Sequence, residues 1–144
     1  MRWIIWLVLL PVALVGVIGL IGYLLPVEHV ASRSADVSRP STEVHALLSD
    51  LEHYSTWWPG ATVESEMVEN VAPTRVVTRV VGETQFGGTW TIEIRPTVSG
   101  SHVTITERGE VYNVVFRTLS RFVFGHTATM DECLKAMQGK LAAG

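Results

Sequence analysis

The chain has a single cysteine, Cys133, among its 144 residues, so no disulfide can close within it. It has only two lysines, Lys135 and Lys140, both near the C-terminus, and so no polybasic patch for anionic lipid headgroups. Eleven basic residues face 14 acidic ones, a formal net charge of −3, which offers no attraction to nucleic acid. Histidines stand at 29, 45, 53, 102 and 126 with no H-x-x-x-H, H-E-x-x-H or Cys/His cluster, so the spacing points to no metal site and no cofactor. There is no G-x-S-x-G, no P-loop and no G-x-G-x-x-G. Phe86-Gly87-Gly88 leads into a strand pattern rather than a helix N-terminus, so it is not a phosphate loop.

One stretch has no charge at all. Trp3 to Leu25, WIIWLVLLPVALVGVIGLIGYLL, spans ~35 Å as a helix, enough to cross a bilayer. Trp3, Trp6 and Tyr23 stand near its ends, where amphipathic rings favour the membrane interface. The alternative is a cleaved signal peptide. The apolar run is longer than a usual signal core, and Val30-Ala31-Ser32 is a poor cleavage site, so residues 1–26 read as an uncleaved membrane anchor. Arg2 on one side and Arg33 and Arg39 on the other leave the positive-inside rule almost nothing to act on, and the side of the membrane stays undetermined. Residues 27–144 read as one mildly acidic domain.

Within it, His29–Ser38 alternates as a first strand, with Ala31, Arg33, Ala35 and Val37 on one face. Val44, Leu47, Leu48 and Leu51 follow with helical spacing from about Pro40 to Asp50. Leu51–Trp58 is a second short helical turn, stopped by Pro59-Gly60. The period then changes to two. Val63–Val71 and Arg75–Val81 are strands joined by a turn at Ala72-Pro73-Thr74, and Gly82–Gly88 is a loop. Trp90, Ile92 and Ile94 form the clearest strand, closed by Pro96. Val103, Ile105 and Glu107 lie on a further strand that ends at Gly109. Last comes Asn113–Leu141, whose apolar Val115, Leu119, Phe122, Met130, Cys133, Met137 and Leu141 predict one face of a long helix. Asn113 is its expected N-cap and Gly125 a kink. Cys133 on that face is a buried structural thiol. Strands bracketed by helices argue an α+β fold.

That order, with PSTEVHALLSDLEHYSTWWPG, FGGTWTIEI, VTITERGEVYN and FRTLSRFVFGHTATMDECLKAM, resembles the SRPBCC superfamily over about Pro26–Leu141, and most of all its membrane-anchored, polyketide-cyclase-like members. The resemblance implies a helix-grip domain: a curved antiparallel sheet wrapped around a long C-terminal helix, with an apolar cavity between them for a lipid, sterol or polyketide. It further implies a shortened sheet, since Gly60–Arg75 leaves space for one strand where the family usually has more. Part of the long helix is then expected to lose its cover.

The cavity expected from this resemblance is lined by Trp90, Ile92, Ile105 and Glu107 from the strands and by Leu119, Phe122, His126 and Met130 from the helix. Trp57, Trp58 and Phe86 either rim its mouth or plug the core. Glu107 is the one candidate for acid–base chemistry; otherwise it sits at the sheet rim against a helix terminus or an arginine such as Arg117. Arg117 and Arg121, one helical turn apart, are either a site for an anionic headgroup or a solvated face. Two classes of function follow. One is a membrane-anchored binding domain whose partner is a hydrophobic small molecule or lipid. The other is a polyketide cyclase/aromatase-like enzyme, which needs a polar partner for Glu107. A scaffold domain whose cavity is filled by its own side chains is a third.

Overall fold

The computed structural model describes residues 1–143; Gly144 lies outside the described residues. The alternation of Trp90, Ile92 and Ile94 belongs to strand β4 (Phe86–Thr97), which pairs antiparallel with β5 (Gly100–Val111) from Phe86↔Val111 to Thr97↔Gly100. Both strands are longer than expected. Phe86-Gly87-Gly88 is strand rather than loop, and neither Pro96 nor Gly109 ends its strand. β1 (Glu28–Val37) flanks β5, and β2 (Ser65–Val71) and β3 (Arg75–Val80) continue the sheet beyond β4 in the order β1-β5-β4-β3-β2. On the inner face lie Val76, Ile92, Ile94, Val103 and Ile105, each at most 1 % exposed.

Helix α5 (Ala128–Ala143) lies in the concavity of this curved sheet. Met130, Cys133, Leu134 and Met137 recur at gaps of three, one and three, so they share one face, and all are buried against the sheet. Each large side chain of this layer contributes about 1.5–3 kcal/mol by leaving water, more than the few tenths per residue that separate ordinary helix propensities. Packing therefore holds α5 in place. Helix α2 (Ser41–Ser49) closes one end with Val44 and Leu48, both fully buried. A 3₁₀ turn at Leu51–His53 leads into α3 (Tyr54–Trp57), which drives Trp57 and Trp58 into the same core. The Tyr54 hydroxyl donates to the Leu48 carbonyl and ties α3 to α2.

The expected single helix Asn113–Leu141 is broken. Asn113 does cap its start: Oδ1 accepts from the backbone of Val115 and Phe116, each at 3.0 Å. The helix α4 (Val114–Leu119) then widens into one π-type turn, Ser120–Phe124, and stops at Gly125. Gly125 has φ 73°, a left-handed conformation that a side chain disfavours, so it ends the helix instead of kinking it. α5 starts afresh at Ala128.

The two halves of the expected stripe consequently part. Met130, Cys133 and Met137 face the sheet, while Phe122 is 67 % exposed and Leu119 only half-buried beside α4's own partner. That partner is α1 (Arg2–Leu24), the apolar N-terminal helix, long and apolar enough to cross a membrane. All of its large apolar side chains are exposed except Ile18, which is half-buried where α4 crosses. The expected loss of cover thus falls on α4 and the turn after it, not on α5. The sheet itself has five strands, and the exposed stretch is the one that precedes the break at Gly125.

Candidate functional site

Three features meet at the end of the sheet nearest α1. The first is a polar cluster on the inner face. Strand alternation carries Glu107 to the same side as Val103 and Ile105, and in register it lies opposite Trp90 on β4 and Ala31 on β1. Its carboxylate accepts from Trp90 Nε1 at 2.5 Å and from His29 Nε2 at 2.8 Å. His29 pairs in register with Gly109, and a Cβ there would collide with the imidazole. The missing side chain is what lets the ring lie across β5 to reach Glu107. His126, in the segment between Gly125 and α5, stacks on His29 with ring centroids 3.8 Å apart. Burial, His29 and Arg121 hold the His126 imidazole below its ordinary pKa, and the Glu107 carboxylate opposes them.

Glu107 therefore sits neither at a helix terminus nor on Arg117, the two structural placements expected of it. Its partner is a histidine from the first strand. The pairing of β1 with β5 creates that neighbour across 78 residues, and no local motif marks it. No group of three or more histidine, cysteine or acidic side chains among the described residues gathers in a way that would hold a metal ion.

The second feature is aromatic. Trp90 stacks on Trp58 at 5.7 Å with 22° between planes, and Tyr54 and Trp57 extend the group. Trp57 and Trp58 are 9 % and 7 % exposed, so they plug the core and do not rim a mouth. Their ring N–H groups have no hydrogen-bond partner among the described residues. Each such orphan costs about 1–3 kcal/mol relative to a satisfied donor. Ile92, Ile105 and Met130, expected to line an open cavity, are fully packed, whereas Phe86 and Trp90 are only half-buried.

The third feature is a cleft of about 140 Å³ between the end of α1 and the His29–His126 stack. Leu25, Pro26, Val27 and Val111 give it apolar walls; Glu28, His29, Arg121 and His126 give it polar ones. Arg117 closes its back. This guanidinium is buried and donates to four carbonyls: Val111 at 2.9 Å, Tyr112 at 3.1 Å, Gly22 at 2.8 Å and Leu25 at 3.3 Å. The last two belong to the C-terminal end of α1, where unpaired carbonyls and the negative end of the helix dipole favour a cation. Arg117 is thus a cap for the apolar helix, and not half of an exposed pair with Arg121. Leu119 and Phe122 lie on the α4 side and do not join the inner-face cluster.

A curved five-stranded antiparallel sheet gripping a C-terminal helix defines the START-like, helix-grip class of α+β folds. Solved structures agree. A START superfamily protein from Mycobacterium smegmatis matches with TM-score 0.62 over 80 % of this chain and 98 % of its own, at 14 % identity. A conserved protein from Geobacillus kaustophilus matches with TM-score 0.62 over 81 % and 95 %, at 16 % identity. The di-domain ARO/CYC StfQ from the steffimycin biosynthetic pathway matches with TM-score 0.57 at 11 % identity, covering 81 % of this chain and 52 % of that one. No family model matches the sequence, and no curated protein matches it. At such identities the likeness is one of fold.

Proposed function

We propose that this protein is a membrane-anchored binding domain for an apolar small molecule or lipid, taken up between sheet and helix at the end nearest the anchor. In this reading residues 1–26 are the anchor and 27–144 the domain. The observation that carries it is the placement of a half-open part of the inner face. Phe86, Trp90 and the His29–Glu107 pair open beside the cleft at the end of α1, where a ligand leaving a bilayer would arrive. The START-like fold supports binding in general terms.

Volume decides what the closed form can hold. A cleft of about 140 Å³ is smaller than the ~300–1,000 Å³ of sites for drug-sized ligands. It suits a headgroup or a single ring. A whole lipid needs more room than this closed form gives. The unpartnered Trp57 and Trp58 N–H groups are donors for a ligand oxygen reaching the interior.

One observation favours a cyclase-type enzyme as the second reading: Glu107 has a histidine partner, which is what proton transfer requires. Two measurements separate the readings. The full chain is expected to stay in the membrane pellet after carbonate extraction. Native mass spectrometry of the detergent-extracted full chain is then expected to show a discrete co-purified lipid-sized mass that survives Glu107→Gln. A protein carrying no bound mass would leave a scaffold domain, and a bound mass that accumulates only in Glu107→Gln would favour the enzyme.

A further inference from the structure

Helix α4 is inside-out for a helix in water. Its polar residues Arg117 and Thr118 are buried, 9 % and 7 % exposed, while Phe116 is 51 % exposed. The π-type turn exposes Phe122, Val123 and Phe124 at 67, 67 and 60 %, with Arg121 exposed beside them. A surface helix of a soluble domain turns its apolar side inward. The inverted arrangement suits a segment whose outer neighbour is hydrocarbon and whose polar groups must be satisfied from within.

Its position agrees. α4 packs directly on the apolar helix. Gly22 is the contact point, because a Cβ there would overlap the Val114 carbonyl. The Thr118 hydroxyl donates to the Ile18 carbonyl at 2.7 Å. Ile18 lies six residues before the end of α1, so Thr118 sits ~9 Å down the flank of the helix at the standard rise. That is within the ~5–10 Å to which amphipathic segments sink into the headgroup–acyl boundary.

We infer that Val114–Phe124 is a second membrane contact, a short dip of chain whose Phe116, Phe122, Val123 and Phe124 sit among the lipid acyl chains beside the anchor. This rests on reading α1 as a membrane span. The occupant is lipid because the patch is continuous with the exposed apolar surface of α1, and one medium covers both. The consequence is orientation: the domain lies down on the bilayer, with the cleft at Leu25–His29 held at headgroup level, instead of swinging on a tether.

The test uses the full chain in phosphatidylcholine vesicles, with single cysteines for a nitroxide label at Phe122, Val123 and, as the aqueous reference, Val98. Val98 is fully exposed at the β4–β5 turn, the opposite end of the sheet. Cys133 is retained, being 1 % exposed in the folded protein. Labels at 122 and 123 are expected to meet oxygen in preference to a water-soluble nickel chelate by a ratio several-fold above that at 98. Equal ratios at all three positions would overturn the inference, as would spin–spin broadening at 122 that disappears on dilution with unlabelled protein, which would assign the patch to a second copy. Carbonate extraction keeps the two claims apart. A chain released by alkali refutes the anchor itself, whereas a retained chain with an aqueous label at 122 refutes only the dip.

Discussion

Replacing Arg117 by methionine removes a buried cation of similar length and strips four carbonyls of their donor. Two of them, Gly22 and Leu25, terminate α1; the other two, Val111 and Tyr112, terminate β5. Hydrogen bonds from a charged donor contribute about 1.5–3 kcal/mol each in isolation, but these four share one guanidinium and are not additive. The charge at a helix C-terminus adds up to ~2 kcal/mol where it is partly buried. Some of the freed carbonyls at the edge of the cleft regain water. A loss of about 2–4 kcal/mol, localised at the α1–α4 joint, is the expected net. Lysine keeps the charge but not the planar fork, so Arg117→Lys is expected to fall between methionine and wild type. Hydrogen exchange of the full chain in nanodiscs reads this segment by segment. The amides of 113–124 are expected to exchange at least tenfold faster in Arg117→Met, a shift of ~1.4 kcal/mol in local opening, while the β4–β5 amides are unchanged. Unchanged exchange across 113–124 would show that Arg117 is incidental and that the joint is held by packing alone. A uniform acceleration including β4 and β5 would show that it supports the whole fold.

Three further outcomes are expected. Trp90→Ala removes a half-buried ring that stacks on Trp58 and leaves Glu107 short of a donor; a denaturant melt is expected to lose about 3 kcal/mol, and no measurable loss would reverse the assigned face of β4. Burial raises the Cys133 thiol to about 12, so an aqueous thiol reagent at pH 8 is expected to react only at the rate of unfolding, and prompt labelling would contradict the packing of α5. His126 has its folded pKa below the unfolded 6.5, so its neutral form is the one the fold favours. The unfolded state binds the extra proton, and stability from this residue is present above pH 6.5 and lost as pH falls through the folded value. His53, raised by Asp50, has the opposite sign: its contribution is present below pH 6.5 and lost as pH rises through the folded value. Melts of His126→Gln are therefore expected to flatten the acid-side slope only, and a slope unchanged below pH 6.5 would remove His126 from the titrating cluster.

Much of the scaffold was legible because it obeys short-range periodicity. Trp90, Ile92 and Ile94 alternate, Val44 and Leu48 are four apart, and Met130, Cys133 and Met137 keep to helical spacing; each of these side chains is at least half-buried on its expected face. Asn113 announced its cap by chemistry alone. What could not be read was anything decided between distant segments. Val115, Leu119 and Phe122 fit the same helical period as Met130, so periodicity joined them; only the left-handed conformation at Gly125 separates them, and a glycine permits that conformation without requiring it. Strand alternation puts Glu107 on the face of Val103 and Ile105, but its partner comes from a strand 78 residues away. Trp57 and Trp58 left two readings open, rim or plug, and the stack with Trp90 closes one of them. Arg117 and Arg121 look alike in sequence. One becomes a buried helix cap because α1 ends beside it, and the other remains in the wall of the cleft.

The apolar N-terminal helix is the element whose meaning changes most once these contacts are seen. As a sequence, Trp3–Leu25 reads as an anchor rather than a signal peptide only through the length of its apolar run and the poor cleavage site after it. The contacts bear on the question in a different way. A segment destined for removal has no need of Gly22 against Val114, a hydroxyl on the Ile18 carbonyl, or a buried guanidinium on its last turn. If α1 were cut away, Arg117 would keep its bonds to Val111 and Tyr112 but lose its two partners in α1, Thr118 would lose Ile18, and the flank of α4 would face solvent. Removing one side of a buried polar contact costs more than never having made it. The joint supports the proposed reading of α1 as a retained anchor, on grounds separate from hydropathy. It also makes the end of the apolar helix part of the wall of the cleft through Leu25 and Pro26, so that whatever binds there meets the domain and the end of that helix together.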